Sequence, residues 1–246
     1  MESFDYFVKT ITNAEYVVCL TGLNMIRELG MRHYKDLDKA YEVEQKYGYS
    51  PEELYTAQCF NTRPEIFYQF YRNEILKHID TEPGKAFYAL ADLERKGRVK
   101  AILTKGIYNF LRKAGCTNVY YLHGNMCEHN HCTHCGKEFP VEYLLESRKV
   151  PTCDVCGSVI HPGPILLGEM IPNHLASAVA GEVSRADVLL VLGTHLKASI
   201  CQEYIQYFRG DKVVLINEEE HYSDNVADFV MHSKVSDVLP KLNERI

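Results

Sequence analysis

Four cysteines in two close pairs carry the clearest chemistry in this chain. Cys132 and Cys135 form one C-x-x-C pair and Cys153 and Cys156 a second, with seventeen residues between them. Thiolates at this spacing can close a tetrahedron around Zn²⁺. Four protein ligands leave no position open to a substrate, so such a zinc is structural rather than catalytic. The stretch 136–152 is too short and too polar to build a core of its own, and the metal would supply its folding energy. The alternatives are free thiols or two disulfides. Cys127, His129, His131 and His134 crowd the same stretch, but they lack the paired spacing and read as surface residues.

The elements around this module alternate strand and helix. Continuous apolar runs at Tyr16–Leu20, Val99–Leu103, Val119–Leu122, Val188–Leu192 and Val213–Ile216 read as buried parallel strands. Between them, residues 2–13, 85–96, 107–114, 176–186 and the C-terminal stretch around Val235–Leu242 have helical apolar spacing. Residues 36–75 lack strand runs. There Ser50-Pro51 with Glu53 has the form of a capping box, and Arg63-Pro64-Glu65 opens another helix. The alternation predicts an α/β fold with a doubly wound parallel sheet. Ligands in such sheets sit at the carboxyl ends of the strands. Here those ends are Thr21-Gly22, Thr104, His123-Gly124, Gly193-Thr194 and Asn217. No G-x-G-x-x-G follows any strand, so the usual dinucleotide fingerprint is absent.

The chain has 246 residues, 46% hydrophobic and 24% charged, enough for one sizeable core. Its net charge of −6 does not favour nucleic acid as a partner. No apolar run approaches the roughly 20 residues needed to span a bilayer, and the first residues have no basic signal region, so no membrane association is expected. Nine cysteines, four of them metal-spaced, fit a reducing compartment, with the cytoplasm as the default expectation.

With the strand ends laid out, the chain resembles the sirtuin family, the NAD-dependent protein lysine deacylases. Ser50-Pro51-Glu52-Glu53-Leu54, Pro64-Glu65 and Phe70-Tyr71-Arg72 are similar to the family's helical region. Ala89–Ala91, Leu93-Glu94, Ala114-Gly115, Asn118-Val119 and Leu122-His123-Gly124 match the next section in order. The four cysteines, Pro162, Gly168-Glu169, Ala186-Asp187, Gly193-Thr194, Leu196 and Asn217 complete the series. The resemblance implies a Rossmann-like single domain over 1–246. Its sheet part would span 1–36, 76–124 and 166–246, with a helical insert at 37–75 and a zinc-binding module at 125–165. It also implies His123 as the catalytic residue. Gly22, Asn24, Lys35, Thr104, Lys105, Gly193, Thr194, His195 and Asn217 would contact NAD or a related nucleotide, and Cys132, Cys135, Cys153 and Cys156 would hold zinc.

The departures from the family pattern bear on activity. The family's G-A-G-x-S loop reads Gly22-Leu23-Asn24-Met25-Ile26 here, where Asn24 could adopt the left-handed turn. G-I-P-x-F-R reads Gly30–Lys35, with Arg32 and His33 in its middle. T-Q-N-I-D, whose Asn orients the ribose and whose Asp holds the nicotinamide amide, reads Thr104-Lys105-Gly106-Ile107-Tyr108. The Ser of G-T-S is His195. A retained general base adds roughly 10²–10⁴-fold and needs its substrate already oriented. The new Arg32, Lys105 and His195 give the cleft a basic cast suited to phosphate. Tyr108 is expected to fill part of the nicotinamide pocket. Pro164, in the segment that would pair with a substrate strand, removes an amide donor and argues against an acylated protein substrate. Three readings follow. One is a weak or inactive deacylase that binds ADP-ribose or another phosphorylated ligand. The second is an active deacylase or ADP-ribosyl transferase with an unusual pocket. The third is an interaction scaffold, expected to show an apolar patch on residues 41–71.

Overall fold

The computed structural model describes residues 2–34 and 36–246. Strands β1 (Val17–Thr21), β2 (Val99–Thr104) and β3 (Val119–Tyr121) precede three short strands, β4 (Asn130–Cys132), β5 (Glu138–Phe139) and β6 (Ile160–His161). They are followed by β7 (Val188–Leu192), β8 (Lys212–Ile216) and β9 (Phe229–Met231). The main sheet has the order β3-β2-β1-β7-β8-β9, and each of its pairs is parallel. Every residue of β1 and β7 is buried, which explains why their sequences are continuously apolar rather than alternating.

Helices cover both faces. On one side lie Glu2–Asn13, Lys85–Arg95 and Val235–Asn243, whose apolar stripes join the larger core. On the other, Asn173–Arg185 and Ser199–Tyr204 bury Val179, Val183, Ile200 and Cys201 against β1, β2, β7 and β8. The chain runs outward from β1 through β2 to β3, then returns to β7 on the other side of β1. The topological switch therefore falls between β1 and β7.

The stretch 37–78 is helical throughout its described elements. Ser50 accepts the Glu53 amide, and the Glu53 carboxylate accepts the Ser50 amide, so the capping box forms as its sequence predicts. Tyr47, Tyr55, Phe60, Phe67, Tyr68, Phe70 and Tyr71 are buried, leaving Leu37 and Tyr41 as the exposed large apolar residues of this stretch. Apart from Tyr41 and the half-buried Tyr49, the aromatic side chains are core, and among the described residues of this stretch Leu37 and Tyr41 alone offer large exposed apolar surface. The cysteine module is a three-stranded antiparallel sheet, β5-β4-β6, tied to the helical stretch by a hydrogen bond from the Tyr68 hydroxyl to the Ile160 carbonyl.

Two elements differ from expectation. The helix predicted over 107–114 is reduced to Phe110–Lys113. The Ile107 carbonyl is taken by the Met126 amide at 2.9 Å, so the chain after β2 is drawn into a loop. Strand β9 was not read from the sequence. It has only three residues, each half-buried, and gains its place by pairing with β8.

Candidate nucleotide cleft and cysteine cluster

At the switch point, the loops that leave β1 and β7 open a cleft of about 420 Å³. Their approach is close. A Cβ on Gly22 would stand 2.2 Å from the Thr194 Cβ and 2.6 Å from the Gly193 carbonyl oxygen. Gly193 has φ +65°, a left-handed conformation that glycine adopts without a steric cost. The two glycines therefore first serve to bring the strand-end loops together. Asn24 does not adopt the left-handed turn expected of it. It begins the short helix Asn24–Arg27, which follows directly because the Gly193 carbonyl already accepts its amide at 2.9 Å.

Gly22, Asn24, Thr104, Lys105, His123, Gly193, Thr194 and His195 all line this one cleft. Asn217 stands behind the wall. It is buried, its Oδ1 accepts from Asn24 Nδ2 at 2.9 Å, and its own amide donates to the Glu219 carbonyl at 2.7 Å. Lys35 lies outside the described residues. Arg32 is not part of the cleft lining: its guanidinium holds the Glu42 carboxylate at 2.7 and 3.1 Å. The basic cast is weaker still at Lys105, whose ammonium lies 2.5 Å from Glu203 and 3.2 Å from Ser199 Oγ. The added cation is neutralised by its neighbour before any ligand arrives.

An inner cavity of about 250 Å³ continues from the cleft, and His123, Lys105, Gly106, Tyr34 and Tyr108 line both. Tyr108 is 6% exposed and packs against Phe110 at 5.6 Å and edge-on to His78 at 5.8 Å. Burial pushes its phenol well above the usual tyrosine range, so it is neutral at physiological pH. Gly106 offers no side chain, and its amide is held by Thr104 Oγ1 at 3.0 Å. Asn109 is turned away from the cleft, accepting from Asn125 at 2.8 Å.

The segment beside this cavity has spent most of its backbone donors. The amide of Ile165 donates to the His123 carbonyl at 2.8 Å and that of Leu167 to the Tyr55 carbonyl at 3.0 Å. The Leu166 amide donates to the Glu169 carboxylate at 2.7 Å, and the Glu169 amide returns to the Leu166 carbonyl at 3.0 Å. Glu169 is anchored in turn by His161 Nε2 at 2.9 Å. Burial alone would raise the Glu169 carboxyl, but His161 and the Leu166 amide outweigh it and hold it below its ordinary range.

His33 and Tyr34, from the altered Gly30–Lys35 motif, line the cleft, as do Arg27, Ser199 and Glu219, which were not singled out in the sequence. Arg27 Nη1 donates to Asn24 Oδ1 at 2.8 Å. The available signal was position: Ser199 and Glu219 follow the carboxyl ends of β7 and β8 within a few residues.

The four cysteine sulfurs lie within 4.8 Å of one another. Amides of His134 and Cys135 point at the Cys132 sulfur at 3.4 and 3.5 Å, and that of Val155 at the Cys153 sulfur at 3.4 Å. Thiolates, which accept such bonds, and an all-sulfur donor set at this separation fit a tetrahedral structural zinc.

Comparison with known proteins agrees with this architecture. The model of the Sir2 family matches residues 22–199. An NAD-dependent protein deacetylase of Clostridium acetobutylicum is 31% identical over 240 residues, covering 97% of each chain. A crystal structure of a Sir2 homolog–NAD complex superposes with a TM-score of 0.86 at 32% identity, over 98% of this chain and 92% of that one. A Sir2 homologue mutant in complex with ADP-ribose matches with the same TM-score of 0.86 at 32% identity, over 98% and 95% of the two chains.

Proposed function

This chain belongs to the Sir2 family, and we propose that its cleft binds a nucleotide of the ADP-ribose type while its protein deacylase activity is weak or absent. The relatives' dependence on NAD, and the neighbours' complexes with NAD and ADP-ribose, bring the ligand class to this chain. The observation that carries the reading is the loop after β2. Beside His123 it presents the bare backbone of Gly106 and a buried, neutral phenol at Tyr108. No carboxylate or amide side chain from this loop faces the space where the far ring of a dinucleotide would have to be oriented.

The other end of the cleft fits. Gly22, Asn24, Gly193, Thr194 and His195 would hold the phosphates, with Thr104 and Lys105 toward the ribose. The cysteine quartet would hold a structural zinc. The whole chain would act as one domain, with the helical stretch 37–75 and the zinc module 125–165 as attachments to the sheet part. The spent amides of Ile165–Glu169 disfavour an acylated peptide adding as a strand.

A second reading, a working deacylase, draws support from His123, which lies at the junction of both cavities where a general base would stand. Calorimetric titration of the zinc-loaded protein with ADP-ribose and with NAD, followed by a deacetylation assay, separates the two. Micromolar ADP-ribose binding with NAD weaker and turnover at background is the expected result. Turnover at the level of an ordinary deacetylase would overturn the proposal.

A further inference from the structure

His195 lines the cleft immediately after Gly193-Thr194 and is part of an unusual stack. Its ring lies nearly parallel to that of His221, with centroids 4.0 Å apart and an interplanar angle of 16°, and Tyr222 packs against His221 at 4.2 Å, tilted by 37°. The two imidazoles are not equivalent. His221 Nδ1 accepts the Ser223 backbone amide at 3.2 Å, and the Ser223 hydroxyl lies 2.8 Å from the same nitrogen. An accepting Nδ1 is unprotonated, so this ring is neutral with its proton on Nε2. His195 has no such tie. Its Nδ1 is buried and without a partner among the described residues, an unspent hydrogen-bonding group in the cleft wall.

Charges of both signs face the pair. Asp224 comes from the short helical turn after β8. Its Oδ2 accepts the His221 amide at 2.8 Å and lies 3.9 Å from His232 Nε2, while its Oδ1 is buried and unpartnered among the described residues. Glu219 lines the same cleft, as does Arg27, which is engaged with Asp36 at 2.5 Å. Burial is the largest influence on His195 and, against the carboxylates of Asp224 and Glu219, holds it below the ordinary imidazole range. The free cleft thus keeps His195 neutral at neutral pH. An entering phosphate adds negative charge to the cleft that His195 lines, and a cation stacked on a neutral ring is favourable where two stacked cations are not.

We infer that His195 receives a phosphate of the bound nucleotide as an imidazolium, so that binding takes up one proton from solvent, with His221 as its neutral stacking partner. This rests on the nucleotide reading given above. The sign follows from linkage. A group whose pKa is raised by the ligand makes affinity greatest at low pH and lost as pH rises through the bound-state value, by up to about tenfold per pH unit.

The test is calorimetry of the zinc-loaded protein with ADP-ribose from about pH 5.5 to about pH 8.5, in pairs of buffers with different ionisation heats, which counts protons directly. Wild type should take up between about 0.5 and about 1 proton near pH 7, with affinity falling several-fold per unit above it. His195→Ser, checked for an unchanged melting temperature, should bind without proton uptake and with a flat pH profile. His221→Phe should retain both the stack and the uptake. Binding that is independent of pH in wild type, or an equal proton count in His195→Ser, would overturn the inference and leave the nucleotide reading standing. No heat at any pH would overturn both.

Discussion

On the proposed reading, the phenol of Tyr108 decides which half of a dinucleotide the cleft can orient. It is wedged between Phe110 and His78 and borders both cavities. Replacing it with alanine should raise NAD affinity by about tenfold, or ~1.4 kcal/mol, while ADP-ribose affinity stays nearly constant. Loss of the buried ring should cost about 3 kcal/mol of stability. Titration of both ligands and a denaturant melt check this, and unchanged NAD affinity would show that the phenol is not the obstruction. The residue types at 106, 108 and 195 were legible in the sequence. Their company was not. Lys105 is a new cation on paper, yet Glu203 neutralises it across ninety-eight positions of chain. Arg32 reads as a rim cation, yet it turns to Glu42. Electrostatics depends on the partner as much as on the residue, and partners come from elements distant in sequence.

At the scale of elements, two devices hold the site's surroundings. Glu74 sits in an irregular turn of the helical stretch with its side chain 4% exposed, and Lys39, Lys46 and Lys77 converge on it at 2.7, 3.0 and 2.9 Å. Burial would raise this carboxyl, but the three lysines outweigh it and bring it down to about 2. A depressed folded-state pKa contributes stability above the ordinary carboxylate range and loses it as pH falls from about 4.5 toward about 2. Thermal melts should therefore show a fall over that interval that is smaller in Glu74→Gln. The variant should also lose about 1–3 kcal/mol at neutral pH, the low side for a broken buried pair because Lys46 and Lys77 can turn to water. The second device is the contact between Gly22 and Thr194. Gly22→Ala puts a methyl group 2.2 Å from the Thr194 Cβ and must push the β1 and β7 loops apart. It should cost about 1–3 kcal/mol and at least about tenfold in ADP-ribose affinity, read by melting and titration. Elements with long periodic or apolar signals, such as β1, β7 and Lys85–Arg95, were legible in the sequence. Strand β9 and the loop at 105–109 were not, because each owes its form to a distant partner, β8 in one case and the Met126 amide in the other.

At the scale of the molecule, the cysteine module is joined to the sheet part by the Met126 amide on the Ile107 carbonyl at 2.9 Å and by Asn125 Nδ2 on Asn109 Oδ1 at 2.8 Å, and to the helical stretch by Tyr68 on Ile160. The module's three strands are two or three residues long. Their stability is expected to come from the metal. Chelation, or Cys153→Ser, should release zinc and lower the melting temperature by several degrees, with amide exchange rising first in 125–165. Retention of full stability after metal removal would show that the thiol cluster folds unaided. The α/β alternation, the paired cysteines and the family pattern were all determined by the sequence, because each is local: strand burial, a three-residue ligand spacing and short motifs need no knowledge of the rest of the chain. The place where β1 and β7 diverge, the neutralisation of Lys105, the stacking of His195 on His221 and the withdrawal of Asn217 behind Asn24 were decided only by the tertiary structure. Each is a contact between residues on separate elements, and its energy depends on distance and burial that exist only once the sheet has assembled.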